Sequence, residues 1–185
     1  MATYTGIIQD LCEFNPAYWR YASERVVLDA VKQNGITLGW VKKELQDDKE
    51  IVLAAVEQYG CALRYASDKL KDDFDVVLAA VKRDGAALKY ASERLQDDEK
   101  IVLPAVKQYT SRAFRYASDR LKDDFDIVLI AVQWSPEALS HASDRLRDDD
   151  EVVLTAVKNH KRALYWASER LQQDPELRRM AGWPI

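Results

Sequence analysis

From Trp40 onward, one aromatic or imidazole residue recurs at spacings of 25 or 26: Trp40, Tyr65, Tyr90, Tyr116, His141 and Trp166, with Tyr21 ahead of them. Four places after most of these rings stands a base: Arg25, Lys69, Arg94, Arg120, Arg145 and Arg170. On a continuous helix that spacing lays the cation over the ring. A ladder of this kind suits the stacking of bases or the gripping of a peptide. Plain packing is the favoured reading: large rings repeated at a solenoid's period fill the gaps between neighbouring units and keep their polar tips in water. Both readings stand at this level.

The other chemistry-bearing residues are sparse. Asp47–Asp48, Asp72–Asp73, Asp97–Asp98, Asp123–Asp124 and Asp148–Asp149 form pairs at the repeat spacing. They lack the glycine and distal glutamate of a calcium loop, so helix capping is their expected work. His141 and His160 are the only histidines and have no cysteine companion nearby. A zinc site needs about four converging ligands. Cys12 and Cys61 are far apart, with no thiol-activating pattern around either. No phosphate loop and no nucleophile elbow is present. The expectation is therefore no catalytic residue, no metal and no cofactor.

The elements that must position these residues come from an internal repeat. Segments 47–71, 72–96, 97–122, 123–147 and 148–172 repeat one another, and 22–46 is a weaker copy, which makes six copies with a period of 25. Segment 97–122 carries one extra residue near Thr110–Ser111. In the first half of each copy, Val77, Leu78, Ala80, Val81 and their equivalents stay apolar. That spacing predicts an amphipathic helix with these columns as core, Leu78 and Leu129 included. In the second half Leu88, Ala91 and Leu95 predict another apolar face. Helices are expected near 49–58, 61–70, 74–83, 86–95, 99–108, 112–121, 125–133, 137–146, 150–159 and 162–171. Gly35, Gly60 and Gly85 stand at the expected chain reversals. Helices of about ten residues cannot hold alone, so neighbouring copies must cover one another. The predicted fold is all-α: a right-handed α-solenoid of short two-helix repeats over 22–172, with caps at 1–21 and 173–185. Asp174–Pro175 reads as the start of the closing helix. Pro104 lies inside a predicted helix, where it removes a donor and crowds the carbonyl of Lys100. A tightened first turn or a kink is expected there, with a local irregularity over 97–122.

Columns that vary between copies are free to make contacts. One set is Asn34, Tyr59, Asp84, Tyr109, Ser135 and His160; beside it run Ile36, Cys61, Ala86, Arg112, Glu137 and Arg162. A third is Gly39, Arg64, Lys89, Arg115, Ser140 and Tyr165. Tyr59, Tyr109, Arg112, Trp134 and Arg162 gather near the turn edge of the repeats, and these residue types dominate binding hot spots. A merely solvated edge with ordinary substitutions is the competing reading.

Composition narrows the partner. The net charge is −4 and 31% of residues are charged, with a pI of about 5.3. A globally basic nucleic-acid footprint is missing, so another protein is the expected partner. No apolar run approaches the roughly 20 residues of a membrane span. Residues 1–9 lack the pattern of a signal peptide, and two cysteines make no disulfide framework; a cytoplasmic or otherwise reducing compartment is expected.

The phrase D-x-x-V-V-L-x-A-V-x-x-x-G-x-A-L-x-Y-A-S-x-x-L-x-x-D, seen best in 72–96, closely resembles the repeat family DUF4116, a domain of unknown function. The resemblance covers about 22–172. It implies a helical repeat array, often attached to other domains, and assigns no activity. The first copy departs from it, with Trp40–Val41–Lys42 where the others have an aromatic or His followed by Ala–Ser. The period also resembles that of the leucine-rich repeat variant solenoid, in which one helix per unit is a 3₁₀ turn. The leading expectation is a non-enzymatic protein-interaction module or scaffold. The alternatives are an inhibitor or immunity-type protein blocking a basic partner, and a structural spacer of a larger protein.

Overall fold

The computed structural model describes residues 19, 21–108 and 113–184. Among them every regular element is helical, with repeated helix units in tandem and no strand. The chain divides into two compact units between Ser92 and Glu93.

Each repeat begins with a long α-helix: Glu24–Gln33, Lys49–Gln58 and Phe74–Arg83 in the first unit, then Glu99–Lys107, Phe125–Trp134 and Asp150–Asn159 in the second. The second Asp of each pair is its N-cap. Asp48 accepts from the N–H of Ile51 at 3.0 Å, Asp73 from Val76 at 3.1 Å, Asp124 from Ile127 at 3.0 Å and Asp149 from Val152 at 3.0 Å. These bonds satisfy donors that the first turn leaves open.

The core face of these helices differs from the expected one. Val76, Val77, Ala80 and Val81 are buried, whereas Leu78 and Leu129 are only half-buried. At 100° per residue the four buried positions centre on one direction and Leu78 lies about 130° from it, on the flank. The fully buried leucines belong instead to the second half of the repeat: Leu63, Leu88, Leu139 and Leu164, followed by Leu70, Leu95, Leu146 and Leu171.

That second half is not one α-helix. It is a 3₁₀ helix, as at Gly60–Tyr65, Gly85–Tyr90, Pro136–His141 and Lys161–Trp166, followed by a single α-turn, as at Asp68–Lys71, Glu93–Gln96, Asp144–Arg147 and Glu169–Gln172. The pattern suits three residues per turn: Gly60, Leu63 and Ala66 are all buried at steps of three. Between the two pieces Ala66 is extended, with φ −65° and ψ 157°. The following serine explains the break. The Ser67 N–H donates to the carbonyl of Gln46 in the previous repeat at 2.9 Å, as Ser92 does to Lys71, Ser143 to Lys122 and Ser168 to Arg147. Its hydroxyl then caps the α-turn, accepting from Leu70 N–H at 3.3 Å. Bonds between repeats replace the bonds that would have continued the helix.

The first Asp of each pair serves the same junction. Asp72, Asp97, Asp123 and Asp148 accept from the hydroxyls of Ser92, Ser118, Ser143 and Ser168. In the second unit an arginine joins them: Arg145 Nε donates to Asp123 at 3.1 Å and Arg170 Nε to Asp148 at 2.9 Å. The pairs therefore divide their labour, one residue capping its own helix and the other tying two repeats together.

The glycines also act differently from the expectation. Of the described residues only Gly182 has positive φ, so Gly35 and Gly60 are not needed for a reversal. They admit a neighbour's backbone: a Cβ at Gly35 would lie 2.3 Å from the carbonyl oxygen of Ala55, and one at Gly60 would lie 2.5 Å from that of Ala80.

Pro104 stays inside its helix, which ends one residue early at Lys107. Its first turn is tightened, since the Ile101 N–H bonds to the Asp98 carbonyl at 3.0 Å in a 3₁₀ fashion alongside the bond from Val102. The last turn is tightened too, with Gln108 N–H on the Ala105 carbonyl at 3.3 Å. The helix Pro175–Ala181, capped by Asp174 and ended by Gly182 in the left-handed region, packs on the last repeat. The expected cap at 1–21 lies almost wholly outside the described residues.

Candidate functional site

In the second unit a cleft of about 520 Å³ opens at the turn edge, where long helices end and 3₁₀ helices begin. Trp134, the last residue of its helix, stands on one side and is 53% exposed. Tyr165 and Trp166, the last two residues of the next repeat's 3₁₀ helix, line it as well, and Tyr165 is 64% exposed. Gln108, Ser135, Pro136, Glu137, His160 and Arg162 complete its lining.

Local bonds set these positions. Ser135 is the C-cap of the helix; its N–H donates to Ala131 and its carbonyl accepts from Ala138. Its hydroxyl, in a residue 8% exposed, bonds to no described group. His160 caps the next 3₁₀ helix, its Nδ1 accepting from the N–H of Arg162 at 3.3 Å. That bond puts the proton of the neutral imidazole on Nε2. Asn159 reaches back to the carbonyls of Val132 and Gln133 at 3.5 and 3.4 Å, fixing the neighbouring helix end. Gln172 Nε2 holds the carbonyls of Tyr165 and Ala167 at 3.0 and 2.9 Å. The Tyr165 ring lies 4.6 Å from that of Trp183, tilted by 55°.

Of the edge residues singled out by sequence, Trp134 and Arg162 share this cleft. Tyr59 belongs to the first unit, beside Cys61 and Asp84, whose charges together with burial push its phenol above the ordinary value. Tyr109 and Arg112 lie outside the described residues. The sequence reasoning did not single out Glu137, Ser135, His160 and Tyr165 as contacts. They do, however, fall in the three varying columns, and that variability was the available signal.

The aromatic column does not take its cations from the position four places on that the spacing suggested. Tyr21 is 90% exposed. Trp40, Tyr65, Tyr90, Tyr116, His141 and Trp166 are half-buried, and the Tyr65 ring lies so close over Gly39 that a Cβ there would meet it at 2.7 Å. The cations over the rings come from the residue just before, not four after: Arg64 over Tyr65 at 4.9 Å, Lys89 over Tyr90 at 5.6 Å and Arg115 over Tyr116 at 5.3 Å. The extended Ala–Ser step breaks the helical register, so Arg120, Arg145 and Arg170 turn to the aspartates instead. At His141, burial first and then the cations Arg115 and Lys122 hold the imidazole below its usual value.

Among the described residues no group of three His, Cys, Asp or Glu side chains could hold a metal. No described helix is long and apolar enough to cross a membrane. No curated protein and no solved structure matches the chain. The model of a domain of unknown function, DUF4116, matches at 23–71, 73–122, 109–147 and 124–172. These overlapping segments cover most of the sequence and follow the repeats just described, and the chain accordingly belongs to the DUF4116 family.

Proposed function

We propose that this chain is a non-enzymatic protein-interaction module whose second unit receives an extended segment of a partner protein in the cleft beside Trp134. The observation that carries the reading is the meeting of all three varying columns in one concave site walled by exposed Trp and Tyr. Its volume suits a few side chains, and pockets of a few hundred Å³ with aromatic walls and a few polar groups are the usual form of a binding site. Trp, Tyr and Arg are the residues whose burial contributes most at interfaces. The scaffold uses its invariant columns for packing, which leaves the varying ones to select a partner.

The test is affinity purification from the source cell, identification of the partner, and titration of that purified partner against wild type and the Trp134→Ala, Arg162→Ala double variant. The expected result is an intact fold with affinity reduced at least about tenfold, the weight of a single hot-spot contact. Full-strength binding by the double variant would place the interaction elsewhere on the molecule.

A further inference from the structure

Asn34–Gly35 is the one Asn–Gly step in the sequence, and such a step carries its own chemistry. The Gly35 nitrogen, once deprotonated, can attack Cγ of Asn34, because glycine has no Cβ to crowd the approach. A C–N bond forms and closes a five-membered succinimide. The Cγ–Nδ2 bond breaks, and the nitrogen leaves as ammonia after taking a proton from water. Water then opens the ring on either side. Cleavage at Cγ gives aspartate, and cleavage at the main-chain carbonyl gives isoaspartate. Nothing is oxidised or reduced, and water is the only co-reactant.

The fold acts on both the ring closure and its products. Closure needs Cβ of Asn34 and the Gly35 nitrogen on the same side of the Cα–C bond. At φ −144° and ψ 101° they point apart. The carboxamide is also engaged: its Oδ1 accepts from the Ile36 N–H at 3.1 Å as the cap of the 3₁₀ helix Gly35–Gly39. Asn34 is exposed but Gly35 is buried, so close to the next repeat that a Cβ would lie 2.3 Å from the Ala55 carbonyl oxygen. Rotation to the reactive geometry therefore requires the first repeat to part from the second. An aspartate product fits the same cap. Asp84 holds the equivalent place at φ −150° and ψ 111° and accepts from the Ala86 N–H at 2.9 Å. Isoaspartate does not fit. It lengthens the main chain by one atom, pulls Gly35 off Ala55 and removes the main-chain carbonyl that accepts from the Thr37 N–H at 3.0 Å.

We infer that Asn34–Gly35 is a latent modification site, closed to deamidation while the first two repeats are stacked and opened when they separate, with the aspartate product kept in the fold and the isoaspartate product expelled from it. Local opening is the route by which groups protected in the native state reach solvent.

The experiment incubates the full chain at mildly alkaline pH, beside a synthetic peptide of residues 29–42 and the full chain in denaturing urea. Mass spectrometry of the tryptic peptide 33–42 follows deamidation, and separation of its isomers gives the aspartate and isoaspartate shares. The folded chain is expected to react at least about tenfold more slowly than the peptide, and urea to restore the peptide's rate. Limited proteolysis of the aged chain should remove the isoaspartate form first. Asn34→Asp should melt at the wild-type temperature. Equal rates in the folded chain and the peptide, or a chain that stays slow in urea, would overturn the protection. A clearly lower melting temperature for Asn34→Asp, or equal protease resistance of the two product forms, would overturn the sorting of products.

Discussion

The guanidinium of Arg120 donates from Nε to the carboxylate of Asp97 at 2.9 Å and from a terminal nitrogen to that residue's own carbonyl oxygen at 2.7 Å. One side chain thus holds both the charge and the backbone at the end of the preceding one-turn helix. The same pair of bonds recurs at Arg145 with Asp123 and at Arg170 with Asp148.

These aspartates make the second unit sensitive to acid. Hydrogen bonding from Ser118 first, with Arg120 adding to it, holds the Asp97 carboxyl below its ordinary value of 3.8. Ser143 and Arg145 do the same for Asp123, and Ser168 and Arg170 for Asp148. A lowered folded value means that the unfolded chain takes up the proton first. Their stabilisation is therefore complete above the unfolded value and is lost as the pH falls through the folded values. Thermal melting against pH should fall below about pH 4. A triple Asp→Asn variant at 97, 123 and 148 should melt lower at neutral pH and show a flatter acid limb. An unchanged acid limb in that variant would remove the ladder from the account.

Leucine truncations should separate the two halves of the repeat. Leu88→Ala and Leu139→Ala, at fully buried positions, are expected to cost about 2–5 kcal/mol in chemical unfolding. Leu78→Ala and Leu129→Ala, half-buried on the helix flank, should cost about half as much or less, as only part of the side chain leaves water. Equal losses at the two kinds of site would return the Leu78 column to the core.

Glycine replacement reads the repeat spacing directly. Gly60→Ala drives a Cβ to within 2.5 Å of the Ala80 carbonyl, and backbone cannot yield as a side-chain tip does. A loss of about 1–3 kcal/mol is expected, as for overpacked cores. Gly182→Ala meets nothing within 4 Å but requires an alanine at φ 75°, a cost of about 1–2 kcal/mol. Denaturant titration of both variants checks the pair; a neutral Gly60→Ala would show that the repeats can slide apart.

Cys61 should be chemically quiet. Burial, followed by its hydrogen bond to Asp84 at 3.2 Å, pushes the thiol up to about 12. In a Cys12→Ser background, iodoacetamide should alkylate Cys61 slowly near neutral pH, with no inflection up to about pH 10, because only the thiolate reacts. Asp84→Asn should lower the inflection and speed the reaction. Fast labelling of the parent at neutral pH would contradict the half-buried, carboxylate-paired thiol.

The repeat, its period, its helical class and the Asp N-caps were legible in the sequence because each rests on local rules that recur from copy to copy, the Asp pairs in five of the six. Hydrophobic spacing placed the five long helices from Lys49 onward within a residue of their ends. Spacing alone did not reveal that the second half breaks into a 3₁₀ helix and a one-turn helix, because the break is made by bonds from Ser67 and its equivalents to the repeat before. A residue's own neighbours in sequence carry no trace of that partner. The same break moved Arg120, Arg145 and Arg170 from the rings to Asp97, Asp123 and Asp148, and left Arg64, Lys89 and Arg115 over the aromatic column. Variation between copies marked the turn edge as available for contacts, and Trp134 and Arg162 were visible there as residue types. Only the tertiary structure joined them with the unpartnered Ser135 hydroxyl and the Tyr165 ring in one cleft. Concavity belongs to the stacking of one repeat on the next, and stacking is fixed by packing between segments 25 residues apart rather than by the order of residues within either.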